Sequence, residues 1–258
     1  MGVEECAEHG NRMSQLARPW WWALDYLYAG WRQVVSVLRR RPPGNYEAGE
    51  SSRPAVVLLP GVYETWLFLE PAAQRLVDGG YRVYTVPGLG FNKRPVPESA
   101  RLVRQRLEEL SRIHGVRECV LLAHSKGGLI GKHAMLDGLL PVNNGSTEPL
   151  VPRILGMVAV GTPFAGSAYA KFLFSRTLRQ FSPRDAVLLS LQAQQEANDR
   201  IISIFAQFDP HIPGGSALAG AKNLRLPLSG HFRTLRQPLV LAAVEESVAA
   251  LETGNGRS

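Results

Sequence analysis

From residue 55 onward, hydrophobic positions fall into short runs separated by longer stretches with helical spacing. The runs are Ala55 to Leu59, Tyr81 to Val86, Glu118 to Ala123, Ile154 to Val160, Arg200 to Phe208 and Asn223 to Leu228. Their β-branched and leucine-rich composition predicts strands, several of them buried on both faces. Residues 65–78, 98–114, 126–138, 238–251 and, in pieces, 168–196 carry helical spacing between and after them. This alternation predicts an α/β architecture, a mostly parallel central sheet with helices on both faces.

The first 54 residues follow a different pattern. Four of the five tryptophans lie between residues 20 and 31. At helical spacing Trp20, Leu24, Leu27, Trp31, Val34 or Val35, and Leu38 form one apolar stripe, with Asp25, Ala29, Arg32 and Ser36 opposite. Asp25, Gly30, Arg32 and Gln33 interrupt any apolar run long enough to span a bilayer. The helix therefore has two placements: packed by its stripe on the body of the protein, the first expectation, or lying peripherally in a membrane interface through residues 19–41. Pro42, Pro43, Gly44, Gly49 and Pro54 mark a linker. The expected division is 1–54 for tail, tryptophan-rich amphipathic helix and linker, and 55–258 for a single catalytic domain.

Chemistry concentrates first at Val120-Leu121-Leu122-Ala123-His124-Ser125-Lys126-Gly127-Gly128-Leu129-Ile130, an apolar strand turning directly into a helix. The pattern is G-x-S-x-G with alanine in the first position. Such a turn holds the serine in strained backbone geometry at the carboxyl end of a strand, where its hydroxyl projects into a cleft. Residues 123 and 127 must be small because helix and strand nearly touch there.

A serine nucleophile needs a base and an orienting acid, which in this arrangement follow in the order serine, acid, histidine. Asp209 ends the run Arg200 to Phe208, and His231 ends the strand Asn223 to Leu228 after a glycine turn. Asp199 precedes its strand, and Asp137 and Asp185 sit in or beside helices, so position favours Asp209. Among the other histidines, His9, His114 and His133 fall in a tail or on helices, His124 lies inside the elbow, and His211 lies beside Asp209 lining the cleft. In this arrangement His231 takes the Ser125 proton during attack on an ester carbonyl, Asp209 fixes its tautomer, and water later releases the acyl group. The oxyanion requires two preset N–H donors. These are expected from Lys126, just after the nucleophile, and from Val62, after the Pro60-Gly61 turn that follows the first domain strand.

Charge and cysteine content change little. A formal net charge of +7 invites an anionic partner, but the arginines are scattered, with one run at Arg39-Arg40-Arg41. No zinc-ligand spacing, aromatic-interleaved basic stripe or phosphate-binding glycine loop appears, so neither nucleic acid, cofactor nor metal is expected. Cys6 lies in a polar tail and Cys119 in an apolar run, which reads as a buried small hydrophobe. The first eighteen residues lack a secretory pattern, making a cytoplasmic location the expectation, peripheral to a membrane if the helix binds one. Val142 to Pro152 reads as a polar surface loop, and its Asn144-Gly145-Ser146 sequon as a chance match.

Four separated motifs carry a resemblance: Leu59-Pro60-Gly61-Val62-Tyr63-Glu64-Thr65-Trp66, Ala123-His124-Ser125-Lys126-Gly127-Gly128, Gly161-Thr162-Pro163-Phe164-Ala165-Gly166-Ser167 and Ser229-Gly230-His231. Together, over residues 55 to 245, they resemble the bacterial lipase and esterase branch of the α/β-hydrolase superfamily. The resemblance implies an α/β-hydrolase fold, a small-molecule or lipid ester substrate, and a cleft wall near Phe164. Tyr63 and His124, within these motifs, join His211 as expected cleft residues. The family's oxyanion loop usually begins His-Gly, whereas proline stands here at position 60. A thioesterase or acyltransferase would use the same triad, and a silent scaffold would keep the fold without the chemistry. The candidate covers of the cleft are the pieces between Gly166 and Asn198, among them the apolar stretch Tyr169 to Phe174, and a compact enzyme with a partly open site is expected.

Overall fold

A computed structural model describes residues 18–39, 42–137, 151–167, 179 and 181–254, with only the backbone of residues 18–22. Cys6 and the N-terminal tail, the side chain of Trp20, the Val142 to Pro152 loop up to residue 150 with its sequon, and the Tyr169 to Phe174 stretch lie outside the described residues.

Six strands form one parallel sheet: β1 (Ala55–Leu59), β2 (Val83–Tyr84), β3 (Glu118–His124), β4 (Arg153–Val160), β5 (Ile201–Phe208) and β6 (Lys222–Ser229). Their spatial order is β2-β1-β3-β4-β5-β6. Only Val83 and Tyr84 of the expected Tyr81 to Val86 strand pair with β1, because Pro87 opens a 3-10 turn immediately beyond. Pro227 fits within β6 because that strand is an edge, where one missing N–H costs no ladder bond on the open side.

Strand residues alternate between two core layers. Val57, Leu59, Leu121, Ala123, Met157 and Ala159 meet α3 (Val96–His114), α4 (Lys126–Asp137) and α5 (Ala186–Ala193). Val56, Leu58, Val120, Leu122, Val158 and Ile202 meet α2 (Glu70–Asp78) and α6 (Pro238–Glu252). Asp185 caps α5 by accepting the Val187 and Leu188 N–H groups. Since all strands run the same way, the ends of β1, β3, β4, β5 and β6 open at one edge, where ligands of such sheets bind.

The N-terminal helix α1 (Arg18–Leu38) packs on the domain, but with the opposite face to the one expected. Asp25, Ala29 and Ser36 are buried, whereas Leu24, Leu27, Trp31, Val34 and Leu38 are exposed. The inversion is possible because Asp25, Arg32 and Ser36 of the inner row each find a polar partner on the domain. Asp25 accepts backbone N–H groups from the loop after β6. Arg32 pairs with Glu70 at 3.1 Å, and the Ser36 and Thr65 hydroxyls meet at 2.7 Å. The stretch expected as a linker also packs: Gly44–Glu47 forms a 3-10 turn whose Tyr46 is buried edge-on to Trp66.

Candidate active site

A single residue, Ser125, joins β3 to α4, and its φ of 52° lies in the left-handed region that side chains normally avoid. Its N–H donates to the Val160 carbonyl at 2.9 Å, tying the strained turn to β4. The helix leaves so close to the sheet that a Cβ on Gly127 would lie 1.9 Å from the Leu59 carbonyl oxygen. One on Gly128 would lie 2.1 Å from Thr162 Oγ1. These clearances explain why positions 127 and 128 are glycine.

His231 follows β6 through Gly230, whose φ is 119°. Its Nδ1 lies 2.7 Å from Asp209 Oδ2. A register shift between Ala206 and Phe208 breaks the β5 ladder just before the aspartate, as bulges beside functional sites do. Asp209 Oδ1 accepts the His211 and Ile212 N–H groups at 2.8 and 3.2 Å, which locks the carboxylate toward the ring. Burial opposes ionisation of both groups, yet each outweighs that penalty for the other. Asp209 titrates below the ordinary carboxylate value, and His231 above the ordinary imidazole value. With Nδ1–H donated to the carboxylate, neutral His231 carries its lone pair on Nε2.

Ser125 and His231 line one cavity of about 420 Å³, together with Val62, Tyr63, Pro163, His211, Ile212 and Phe232. Tyr26, Ala29, Gly30 and Gln33 of α1 form another wall. A larger cavity, about 740 Å³, lies around Val37, Trp66, Val86 and Phe91 and contains neither Ser125 nor His231. Size does not decide between them; Ser125 and His231 both line the smaller one.

The loop expected to supply one oxyanion donor is braced by residues that the sequence reading missed. Buried Glu64 accepts the Gly61 N–H at 2.7 Å and meets His124 Nδ1 at 2.8 Å. Asn92 Nδ2 donates to the Pro60 carbonyl at 2.7 Å, and the Asn92 carbonyl accepts from Lys126 Nζ at 2.9 Å. Lys126 also donates to the Arg94 carbonyl. Its buried ammonium is pushed down to about 8 by desolvation. Glu64 lies inside the first of the four motifs, and Asp25 is the sole acid of α1; those are the signals the sequence holds.

Two expected cleft residues do not reach the cavity. His124 is fully buried behind His231, ring centroids 4.7 Å apart, because its Nδ1 is committed to Glu64. Phe164 turns into the core on the α3 and α4 side, leaving Pro163 as the wall. His211 lines the cavity as expected, and burial beside His231 pushes it down to about 3, which keeps it neutral. Asp209, His211 and His231 offer three donor atoms within 4.8 Å that could hold a cation. A cation there would compete with the His231 N–H for the Asp209 carboxylate.

No protein-family model matches the chain, and no curated protein matches it in sequence. Solved structures do match in shape. Lipase BlEst2 of Bacillus licheniformis in mature form superposes with a TM-score of 0.58 at 14% identity, covering 78% of this chain and 94% of that one. Est1E from Butyrivibrio proteoclasticus, with ferulic acid bound, gives 0.55 at 13% identity, covering 81% and 92%. The chain thus has the α/β-hydrolase fold.

Proposed function

We propose that the protein is a carboxylic ester hydrolase in which Ser125 is the nucleophile, His231 the general base and Asp209 its orienting acid. The observation that carries the reading is one cavity lined by a serine at φ 52° and by an imidazole bonded at 2.7 Å to a buried carboxylate. That the similar structures include a lipase and Est1E with ferulic acid bound supports an ester substrate.

In the proposed reaction, His231 Nε2 takes the Ser125 hydroxyl proton as Oγ bonds to the ester carbonyl carbon. The Val62 and Lys126 N–H groups receive the oxyanion. Collapse of the tetrahedral species expels the alcohol, which leaves with the proton from His231. Water then repeats the sequence on the acyl-serine, releasing the acid and restoring the enzyme. Val62, Phe68, Phe181, Ile212 and Phe232 give the cavity apolar walls that suit an acyl chain, of a lipid or a smaller ester.

Hydrolysis of p-nitrophenyl esters of increasing acyl length tests the reading, with Ser125→Ala as control. Turnover is expected to vanish in the variant; undiminished turnover would overturn the assignment.

A further inference from the structure

Among the described residues, the outer row of α1 stands open to solvent. Leu24, Leu27, Trp31, Val34 and Leu38 are 44%, 70%, 62%, 60% and 80% exposed, and they fall three or four positions apart along one helical face. Isolated exposed apolar residues are ordinary, but a contiguous row of five marks an interaction surface. We infer that this face docks on an anionic lipid bilayer, with α1 lying in the plane of the interface.

Charge favours that occupant. Residues 18–41 contain five arginines and one aspartate. The aspartate, Asp25, is turned inward, and Glu70, the acid that meets this helix, is held by Arg32 and Arg39. Arg236 stands 6.0 Å from the Tyr28 ring, and Lys93 stands 6.0 Å from the ring of exposed Phe91. An apolar row on a helix whose sequence is strongly cationic is what an anionic headgroup layer selects. Among the described residues no helix is long and apolar enough to cross a membrane, so the geometry is peripheral.

Docking would set the catalytic cavity beside the lipid. Tyr26, Gly30 and Gln33 line the cavity from α1, on a row about a third of a turn from the exposed one. The cavity wall and the lipid-facing row are therefore neighbouring strips of one helix. Delivery of a lipid ester to Ser125 from the bilayer rests on the ester-hydrolase reading, whereas the docking itself does not.

Flotation of the full chain with vesicles of phosphatidylcholine and phosphatidylglycerol, and of phosphatidylcholine alone, tests the docking. The protein is expected to float with the anionic vesicles and more weakly with the neutral ones. Leu27→Glu/Trp31→Glu should lower vesicle binding at least about tenfold while hydrolysis of a soluble ester without vesicles is unchanged. Ile113→Glu, an exposed apolar position at the far end of α3, should float as the unaltered chain does. Ser125→Ala should also float normally, which separates failure of docking from failure of the proposed chemistry. Absence of flotation, or equal flotation of Leu27→Glu/Trp31→Glu, would overturn the inference. So would sedimentation as a lipid-free dimer that this double variant dissociates, which would assign the face to a second copy.

Discussion

Asp25 accepts the backbone N–H of His231 at 2.8 Å across 206 positions of sequence, and the same carboxylate accepts those of Phe232 and Arg233 at 3.0 and 2.9 Å. Helix α1 is thereby fastened to the loop that carries the proposed base. Removing the carboxylate would strand three N–H groups, and hydrogen bonds to a charged acceptor contribute roughly 1.5–3 kcal/mol each before overlap. Asp25→Ala is expected to cost about 3 kcal/mol of stability and to lower kcat about tenfold to a hundredfold, with KM little changed. Asp25→Asn, which keeps one acceptor oxygen, should recover part of both. Urea unfolding and kcat measured on the same samples check this; lost stability with undiminished kcat would reduce Asp25 to a structural role.

Glu64 is the corresponding brace for the oxyanion loop, joining the Gly61 N–H to His124. Glu64→Ala would free the loop that carries Val62 and is expected to lower kcat about tenfold or more, less than the full loss of an oxyanion donor. Glu64→Gln offers an oxygen to Gly61 and an amide to His124, and should retain most of the activity. Steady-state kinetics of the two variants decide it: equal activity of Ala and Gln forms would remove the loop from the mechanism.

The sheet was legible because β1, β3 and β5 are apolar runs that nothing but burial explains, and the helices between them keep their spacing. The placement of Ser125 and Asp209 at the carboxyl ends of such runs was legible for a similar reason. The orientation of α1 was not legible. A helix with leucine and tryptophan on one side and Asp25, Arg32 and Ser36 on the other ordinarily buries the first. Here the second is buried because its partners, the loop after β6, Glu70 and Thr65, lie far away in sequence. Phe164 failed for a related reason: the motif located its backbone at the cavity edge, but packing against the α3 and α4 layer decided where the ring went.

The elbow makes a sharper demand at Gly127 than at Ala123. A Cβ at 127 would meet the Leu59 backbone at 1.9 Å, and no side-chain movement can relieve a clash with backbone. Gly127→Ala is expected to destabilise the fold by about 4 kcal/mol or more, or to abolish soluble expression. Ala123→Gly, which loses one buried methyl and adds backbone freedom but meets no clash, should cost only about 1–2 kcal/mol. Thermal unfolding of the two variants tests the difference; a Gly127→Ala protein as stable as the unaltered chain would contradict the packing of α4 on β1.

The Asp209 and His231 pair fixes the sign of the pH dependence. Burial alone would depress His231, but the carboxylate 2.7 Å away raises it above its ordinary value of 6.5. The proposed base works when neutral, so activity should be present above the folded pKa and fall as pH drops through a midpoint above 6.5. Stability runs the other way for the histidine: its pairing stabilises the fold below the unfolded pKa, and that contribution is lost as pH rises through the folded value. Asp209, held below 3.8, contributes above its unfolded value and loses its contribution as pH falls through the folded one. In Asp209→Asn the desolvation remains without the opposing charge, so the acid limb of kcat/KM should move downward while kcat falls by on the order of 10⁴, the loss such a change causes in serine–histidine–aspartate enzymes. A kcat/KM profile of both proteins checks it. An acid limb that stays in place when Asp209 loses its charge would mean that another group sets the protonation of the base, and Asp209 would lose its proposed role.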